Sequence, residues 1–176
     1  RGVEGVEKTV VNSISRCVKP YEDYDAYLAL AHNPDFRFIV SNTTEAGIVY
    51  DETDDFNALP PKTYPGKLTK FMFERFKHFN GASDKGLVLI PCELIENNGG
   101  NLKNCVLKFA DLWNLGADFI NWVENACVFC SILVDRIVTG YPREEAESIW
   151  EKLGYKDNLV DTAELFALWV IESDKD

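Results

Sequence analysis

Two short polar segments hold most of the side chains in this sequence that are suited to binding a small ligand. Residues 41–47 read Ser-Asn-Thr-Thr-Glu-Ala-Gly, a cluster of short hydrogen-bonding side chains with a glycine that lets a ligand approach the backbone. Residues 92–99 read Cys-Glu-Leu-Ile-Glu-Asn-Asn-Gly and supply two carboxylates and two amides. Each segment also has a structural interpretation of similar weight, as a turn or a helix cap.

A third constellation places an acid and a base side by side within an apolar run. Asp135 and Arg136 are flanked by Leu-Val at residues 133–134 and by Ile-Val at residues 137–138. Charges in such surroundings are costly to bury unless they are paired. The pair is therefore predicted either to orient a site or to form a structural salt bridge.

Several catalytic and nucleotide-binding motifs are absent from the sequence. It has no Gly-x-Gly-x-x-Gly, no Walker-type Gly-Lys-Ser/Thr, no Gly-x-Ser-x-Gly and no His-Glu-x-x-His. The five cysteines are odd in number and scattered, which is typical of reduced thiols. Cys127 and Cys130 form a single Cys-x-x-Cys far in sequence from both histidines, so we favour two buried small residues over a zinc or redox site. No metal is expected.

The elements that must position these residues follow from the apolar patterns. Residues 36–41 and 86–91 are apolar runs of strand length, and the two polar segments lie at their ends. Between them, residues 68–79 have an apolar helical face, and their charged residues, Arg75 included, fall mostly elsewhere. Another helix is predicted over residues 102–113. This alternation predicts an α/β fold with a parallel sheet, in which ligands bind beyond the carboxyl ends of the strands.

The pattern differs at the two ends of the chain. Residues 8–18 alternate partly and predict an edge strand. Beyond residue 115 the sequence predicts shorter elements in a region too small for a complete domain: a helix near residues 117–127, an apolar run at 134–138, a helix near 143–153 and an apolar run at 165–171.

The composition excludes several classes of partner. The chain is 46% hydrophobic and 27% charged, which is typical of a folded, soluble protein. Its net charge is -11, and Lys and Arg form no basic stripe, so nucleic acid and anionic membrane surfaces are poor partners. No apolar run approaches the roughly 18 residues of a membrane helix, and the chain does not start like a signal peptide. We therefore expect an intracellular, cytoplasmic protein.

Four segments carry a resemblance to a known family. They are residues 38–48, Phe-Ile-Val-Ser-Asn-Thr-Thr-Glu-Ala-Gly-Ile; residues 85–95, Lys-Gly-Leu-Val-Leu-Ile-Pro-Cys-Glu-Leu-Ile, with Asn98 and Gly99 after them; residues 133–143, Leu-Val-Asp-Arg-Ile-Val-Thr-Gly-Tyr-Pro-Arg; and residues 168–172, Leu-Trp-Val-Ile-Glu. They resemble the mannitol dehydrogenase family of long-chain polyol dehydrogenases, and the resemblance extends over nearly the whole chain. It implies a Rossmann-type domain followed by a mostly helical substrate domain.

The resemblance also implies that this chain is an internal fragment. Residues 1–115 would be the second half of the Rossmann-type, dinucleotide-binding domain, and residues 116–176 the start of the substrate domain. Family members carry their Gly-rich dinucleotide loop before the matching region, and the Lys that acts as general acid and base after it. The fragment by itself is therefore expected to be inactive.

The reaction implied by the resemblance is NAD-dependent hydride transfer between a nicotinamide ring and the carbonyl of a uronate, tagaturonate, which gives altronate in hexuronate breakdown without a metal. The first polar segment would lie near the nicotinamide and its ribose, with five cofactor-binding residues: Asn42, Thr43, Thr44, Glu45 and Gly47. Asp135 and Arg136 match a Val-Asp-Arg signature that borders the substrate pocket. Asn98 is the expected catalytic donor to the developing alkoxide, because Leu94 stands where the family has Asn.

Two functions other than a dehydrogenase stay open at this point. One is a natural, non-catalytic binding or scaffolding module derived from such an enzyme. The other is an unrelated α/β sugar-binding protein that needs no nicotinamide. The expected partner is a small uronate or aldonate, and the choice between NAD and NADP and the oligomeric state are left open.

Overall fold

The computed structural model of this protein describes residues 13–173. The α-helices in that range are α1 (Tyr24–Ala29), α2 (Tyr64–His78), α3 (Asn98–Leu112), α4 (Ala117–Asn125) and α5 (Ala146–Leu153), with 3₁₀ turns at Leu30–His32 and Ser83–Lys85. The strands are β1 (Phe38–Ser41), β2 (Val88–Pro91), β3 (Val128–Phe129), β4 (Ser131–Asp135), β5 (Val138–Gly140), β6 (Thr162–Ala163) and β7 (Leu168–Glu172). Helices and strands alternate from α1 to β2, and α3 and α4 then precede β3. This order confirms the predicted α/β class.

Three of these strands form a parallel sheet in the order β1-β2-β3. β1 and β2 are paired from Phe38 opposite Val88 to Ser41 opposite Pro91, so their carboxyl ends lie side by side. β3 continues the sheet on the other side of β2, where Val128 pairs with Val88. β2 is therefore central, and its last three residues are buried, as expected for an apolar strand covered by helices.

α2 covers the sheet and supplies much of the core. Thr63 caps the helix, because its hydroxyl accepts a hydrogen bond of 3.0 Å from the Gly66 N–H, and Pro65 follows in the first turn, where no donor is needed. The predicted apolar face of α2 is buried against β2, α3 and α4. The core residues shared by these four elements include Leu68, Phe71, Met72, Leu89, Leu102, Val106, Phe119 and Trp122.

Arg75 departs from the predicted pattern, because it is buried at the amino ends of the strands. Its guanidinium donates hydrogen bonds to the backbone oxygens of Lys85 at 2.7 Å, Ala31 at 3.0 Å and Asn33 at 2.8 Å. Burial lowers the pKa of this guanidinium from its ordinary value. Since Asn33 leads into β1 and Lys85 into β2, the three bonds tie together the segments that enter the two strands.

After β3 the chain leaves the parallel sheet. β4 pairs antiparallel with β7, from Ser131 opposite Glu172 to Asp135 opposite Leu168, and β5 pairs antiparallel with β6. The region predicted as mostly helical therefore also contains two strand pairs, because its β-branched and aromatic runs find backbone partners in one another. α4 and β3 pack with the parallel sheet, and the division of the chain into domains after residue 115 stays a prediction.

Two expectations for the termini and the helices can be compared with the structure. Residues 13–18 are the described part of the predicted edge strand, and they form no strand and pair with none of the described strands. Residues 8–12 lie outside the described range. None of the helices within residues 13–173 has both the length and the apolar composition of a membrane-crossing segment.

The contact between α3 and the end of β3 leaves no room for a side chain at Gly99. A Cβ at this position would overlap the backbone oxygen of Cys130, which cannot move aside as a flexible side chain can. We expect Gly99→Ala to lower the free energy of unfolding by about 1–3 kcal/mol, as overpacking of a core does. Urea unfolding of the chain, followed by circular dichroism, measures this change.

Gly100→Ala is the matched control on the same helix. Its Cβ would meet only the exposed side chain of Asn97, which can turn away, and Ala is favoured over Gly in a helix by up to about 1 kcal/mol. Stability should therefore stay the same or rise. Equal losses in the two variants would contradict the close α3–β3 contact.

Candidate functional site

The carboxyl ends of β1 and β2 bring the two predicted polar segments together. Glu93, the second residue after β2, is buried and reaches across to the segment that follows β1. Its Oε2 accepts a hydrogen bond of 3.0 Å from the Ser41 hydroxyl. Its Oε1 accepts two bonds from Thr43, one of 3.0 Å from the backbone N–H and one of 2.7 Å from the hydroxyl. One carboxylate therefore fixes the start of the loop after β1.

A cleft of about 730 Å³ opens beside this loop. One wall is formed by residues of the first polar segment and the turn that follows it, and the other by residues that lead into α2. The lining residues used below are Thr43, Ala46, Gly47, Asp51, Lys62, Thr63 and Tyr64. This cleft is the candidate site, because it lies where an open parallel sheet binds its ligands.

The loop approaches itself closely at Gly47. A Cβ on this glycine would overlap the Thr43 side chain, and the Gly47 N–H donates a hydrogen bond of 3.0 Å to the Thr44 oxygen. Thr44 has a φ of 76°, in the left-handed region that non-glycine residues seldom adopt. Of the five predicted cofactor-binding residues, Thr43 and Gly47 line the cleft, whereas Asn42, Thr44 and Glu45 are exposed on the same loop and do not line it.

Tyr64 places an unsatisfied polar group at the cleft. Its hydroxyl is buried and makes no hydrogen bond of good geometry within the described residues, although Ser41 lies nearby. Burial, followed by the charge of Glu93, raises the pKa of Tyr64 well above its ordinary value. Tyr64 is therefore a neutral hydroxyl that is buried behind the wall of the cleft.

A second buried carboxylate shapes the opposite wall. Asp54 accepts hydrogen bonds of 2.8 Å from the backbone N–H groups of Lys62 and Thr63, and one of 2.7 Å from the Thr63 hydroxyl. Lys62 also pairs with Asp51 at 2.9 Å. The hydrogen bond from the Thr53 side chain, followed by the one from Lys62, holds the pKa of the Asp51 carboxyl well below its usual range. The wall that faces the Thr43 loop is thus held by its own hydrogen bonds.

Asn98 is buried at the start of α3 and uses its whole amide in hydrogen bonds. Its Nδ2 donates to the backbone oxygens of Glu93 at 3.0 Å and Ile132 at 2.8 Å, and its Oδ1 accepts from the backbone N–H groups of Gly99 and Ile132, both at 2.9 Å. The amide therefore connects the loop after β2 with β4. With both amide hydrogens engaged, its predicted role as a donor to an alkoxide stays a prediction, and the structure shows it as a cross-link.

Asp135 and Arg136 lie at the end of β4 and are both exposed. They form no ion pair with each other, so the structural salt bridge considered above is absent from the described residues. Arg136 instead donates from Nε to the Glu164 backbone oxygen at 3.1 Å. No hydrogen bond joins the two residues to the Thr43 loop, and their link to the site is β4 itself, through Ile132 and Asn98. Their substrate-binding role stays a prediction.

Glu93, Tyr64 and Asp54 had no predicted role. A carboxylate directly after a central buried strand was visible in the sequence, but its partners on the neighbouring strand were not, because they are about 50 residues away in the chain. The described residues contain no group of three or more His, Cys, Asp or Glu side chains that could hold a metal ion. The cysteines in that range form no disulfide, and Cys127 and Cys130 are buried, as predicted.

A parallel sheet in the order β1-β2-β3 with a cleft at the carboxyl ends of its strands is typical of the open α/β folds, to which the Rossmann-type proteins belong. The sequence matches the family described as mannitol dehydrogenase Rossmann domain over residues 2–176, and the chain belongs to that family.

Curated relatives are closely similar over nearly the whole chain. The altronate oxidoreductase of Enterobacter sp. (strain 638) is 54% identical over 166 residues, which cover 94% of this chain and 34% of the relative. The altronate oxidoreductase of Yersinia enterocolitica is 51% identical over 170 residues, which cover 97% of this chain and 35% of the relative. This chain thus spans about a third of the length of the curated relatives it matches.

Solved structures share the fold. Mannitol 2-dehydrogenase of Pseudomonas fluorescens, in a ternary complex with NAD and D-mannitol, superposes with a TM-score of 0.72 at 21% identity, over 94% of this chain and 35% of that one. A D-sorbitol dehydrogenase in substrate-free form gives a TM-score of 0.69 at 24% identity, over 88% of this chain and 33% of that one. These structures confirm the predicted Rossmann-type architecture.

Because the Asn98 amide links the loop after β2 with β4, a substitution that removes its two Nδ2 hydrogens is expected to destabilise the fold. In Asn98→Asp a carboxylate would face the backbone oxygens of Glu93 and Ile132, which would both lose their donor. We expect the free energy of unfolding to fall by about 2–4 kcal/mol, measured by urea unfolding.

Asn101→Asp is the control, because it places the same carboxylate in the first turns of the same helix. Asn101 is exposed and loses a single bond to the Glu96 backbone oxygen, so its stability should change by less than about 1 kcal/mol. If Asn98→Asp were as mild as the control, the cross-link would not hold the loop to β4.

Proposed function

We propose that this chain is part of an NAD-dependent oxidoreductase that interconverts D-tagaturonate and D-altronate by hydride transfer in hexuronate breakdown. The observation that carries the proposal is the identity of 51–55% to altronate oxidoreductases over 94–97% of the chain. The membership of a mannitol dehydrogenase family supports the reaction class, and the cleft beside the Thr43 loop is a suitable place for the cofactor. The alternative of a non-catalytic module has no observation in its favour.

The cleft fits a nicotinamide cofactor in three respects. Its volume of about 730 Å³ is within the range of small-molecule sites. Gly47 lines the cleft with no side chain of its own, so its backbone is open to a ligand there, and the Tyr64 hydroxyl is a buried polar group in need of a partner. When bound, NAD accepts or returns a hydride, that is, one proton and two electrons. Thr43 and Gly47 in the cleft wall would hold the ring, and Asn42, Thr44 and Glu45, exposed on the same loop, would bind the nicotinamide or its ribose.

The remaining assignments concern the substrate side. Asp135 and Arg136, exposed at the end of β4, are proposed to border the pocket for the sugar acid, where the guanidinium suits a carboxylate. Asn98 is proposed to act on the same pocket by holding β4 against the loop after β2, or as the alkoxide donor once a substrate displaces one of its bonds. We further propose a division into a cofactor domain, predicted as residues 1–115, and a substrate domain. The packing of α4 and β3 on the sheet favours a boundary after Cys130.

We propose the cytoplasm as the place of action, which the absence of disulfides among the five cysteines supports. The proposed partners are the nucleotide and a small sugar acid.

The first experiment is to determine the reading frame on both sides of this segment in the source gene and to assay the protein it encodes. We expect NADH oxidation that depends on tagaturonate, with altronate as the product. Separate titrations with NADH, NADPH and tagaturonate identify the preferred nucleotide. Binding of the sugar acid with no nucleotide dependence would instead indicate a sugar-binding protein, and a stable protein that binds neither would indicate a scaffolding module.

A variant at Gly47 tests the location of the cofactor. In Gly47→Ala the new Cβ would push the Thr43 side chain from its place, so we expect the Kd for NADH to rise by about tenfold or more, a loss of roughly 1.4 kcal/mol or more in binding. Fluorescence titration of NADH measures this change. Gly100→Ala, outside the cleft, is the control and should leave the Kd unchanged; a normal Kd for Gly47→Ala would place the nucleotide elsewhere.

A further inference from the structure

Glu93 is a buried carboxylate whose partners all carry hydrogens to donate. It is 1% exposed, and it accepts bonds from the Ser41 hydroxyl and from the N–H and hydroxyl of Thr43. A carboxylate that accepts three donated bonds is satisfied in its ionised form, whereas a protonated carboxyl would need an acceptor of its own. The geometry therefore suits a negative charge at this position.

The charge of Glu93 has no cationic partner among residues 13–173. None of the ion pairs in that range includes it. Two neighbours respond to its charge. After burial, which is the larger cause, the Glu93 carboxylate raises the pKa of the Tyr64 hydroxyl and of the Cys92 thiol. Thr43, whose hydroxyl donates to Glu93 at 2.7 Å, and Tyr64 both line the cleft, so the carboxylate lies one residue behind the cleft wall.

The two states of a nicotinamide cofactor differ in charge at the ring. The oxidised ring carries one positive charge, and the reduced ring is neutral. A buried carboxylate without a counter-ion attracts a nearby cation more strongly than an exposed one, because little water screens it. A ring held against Thr43 in the cleft would be separated from the Glu93 carboxylate by that one residue.

We propose that Glu93 makes the cleft favour the oxidised, positively charged nicotinamide over the reduced, neutral one, in addition to positioning the Thr43 loop. This inference rests on the function proposed above. Positioning alone would change the affinity for both forms equally, since both contact the loop. Only the charge distinguishes the two forms.

Two substitutions separate charge from hydrogen bonding. Glu93→Gln keeps the length and shape of the side chain and can keep the bonds to Thr43 and Ser41, but it removes the charge. Glu93→Asp keeps the charge but is one methylene shorter, so it cannot reach Ser41 and Thr43 together. Glu96→Gln, at an exposed glutamate in the same segment, is the control for loss of a screened charge.

The experiment measures the Kd for NADH by fluorescence titration and the Kd for NAD⁺ by competition, on the protein that the complete reading frame encodes. For Glu93→Gln we expect the ratio of the NAD⁺ Kd to the NADH Kd to rise by about three- to tenfold. For Glu93→Asp both Kd values should rise together and the ratio should stay within about twofold of wild type, as should the ratio for Glu96→Gln. Thermal unfolding confirms that each variant is folded.

Three outcomes overturn the proposal. If Glu93→Gln raises both Kd values equally, Glu93 only holds the loop, and the proposed function stands without this inference. If the ratio changes in Glu93→Asp, which keeps the charge, geometry rather than charge sets the preference; this outcome can overturn the proposal even when Glu93→Gln does not fold. If the wild-type protein binds neither nucleotide, the proposed function fails, and the inference fails with it.

Discussion

The parallel pairing of β1 with β2 is the constraint on which the site depends. Because Ser41 lies opposite Pro91, β1 and β2 end at the same edge of the sheet. The residues that follow the two strands must therefore share a small volume. Glu93 satisfies the donors of Ser41 and Thr43 in that volume, and the cleft lies beside the loop that it holds. A slip in strand register would separate these groups and leave a buried carboxylate without partners, at a high cost in free energy.

Both ends of the strand pair are held by buried polar side chains. At the amino ends the Arg75 guanidinium binds three backbone oxygens, and at the carboxyl ends Glu93 and Asn98 bind the loops and β4. The apolar core between them contributes most of the stability but has no directional preference. The buried polar groups fix how the strands and loops are placed relative to one another, because each group loses its hydrogen bonds unless its partners lie at the correct distance and angle. This arrangement suits a site in which a loop must be held still for a ligand.

Much of the fold was predictable because the apolar pattern of each element repeats locally. The face of α2 and the run of β2 both depend on neighbours within a few residues in the chain. Predictions that needed partners distant in sequence were less successful. Arg75 was expected off the apolar face of its helix, and residues 13–18 were assigned to a strand. The apolar runs near residues 134–138 and 165–171 were noted, but their pairing as strands was not predicted.

The sequence by itself determined the alternation of helices and strands, the family, and the two polar segments at the strand ends, because these depend on residue type and spacing. Only the tertiary structure decided what each polar residue does. Glu93, which had no assigned role, proves to hold Thr43 from about 50 residues away, and Asn98, which was expected to donate to a substrate, has its whole amide engaged by the backbone. The physical reason is that a hydrogen bond depends on position in space, which the order of residues along the chain does not specify until the strands are paired.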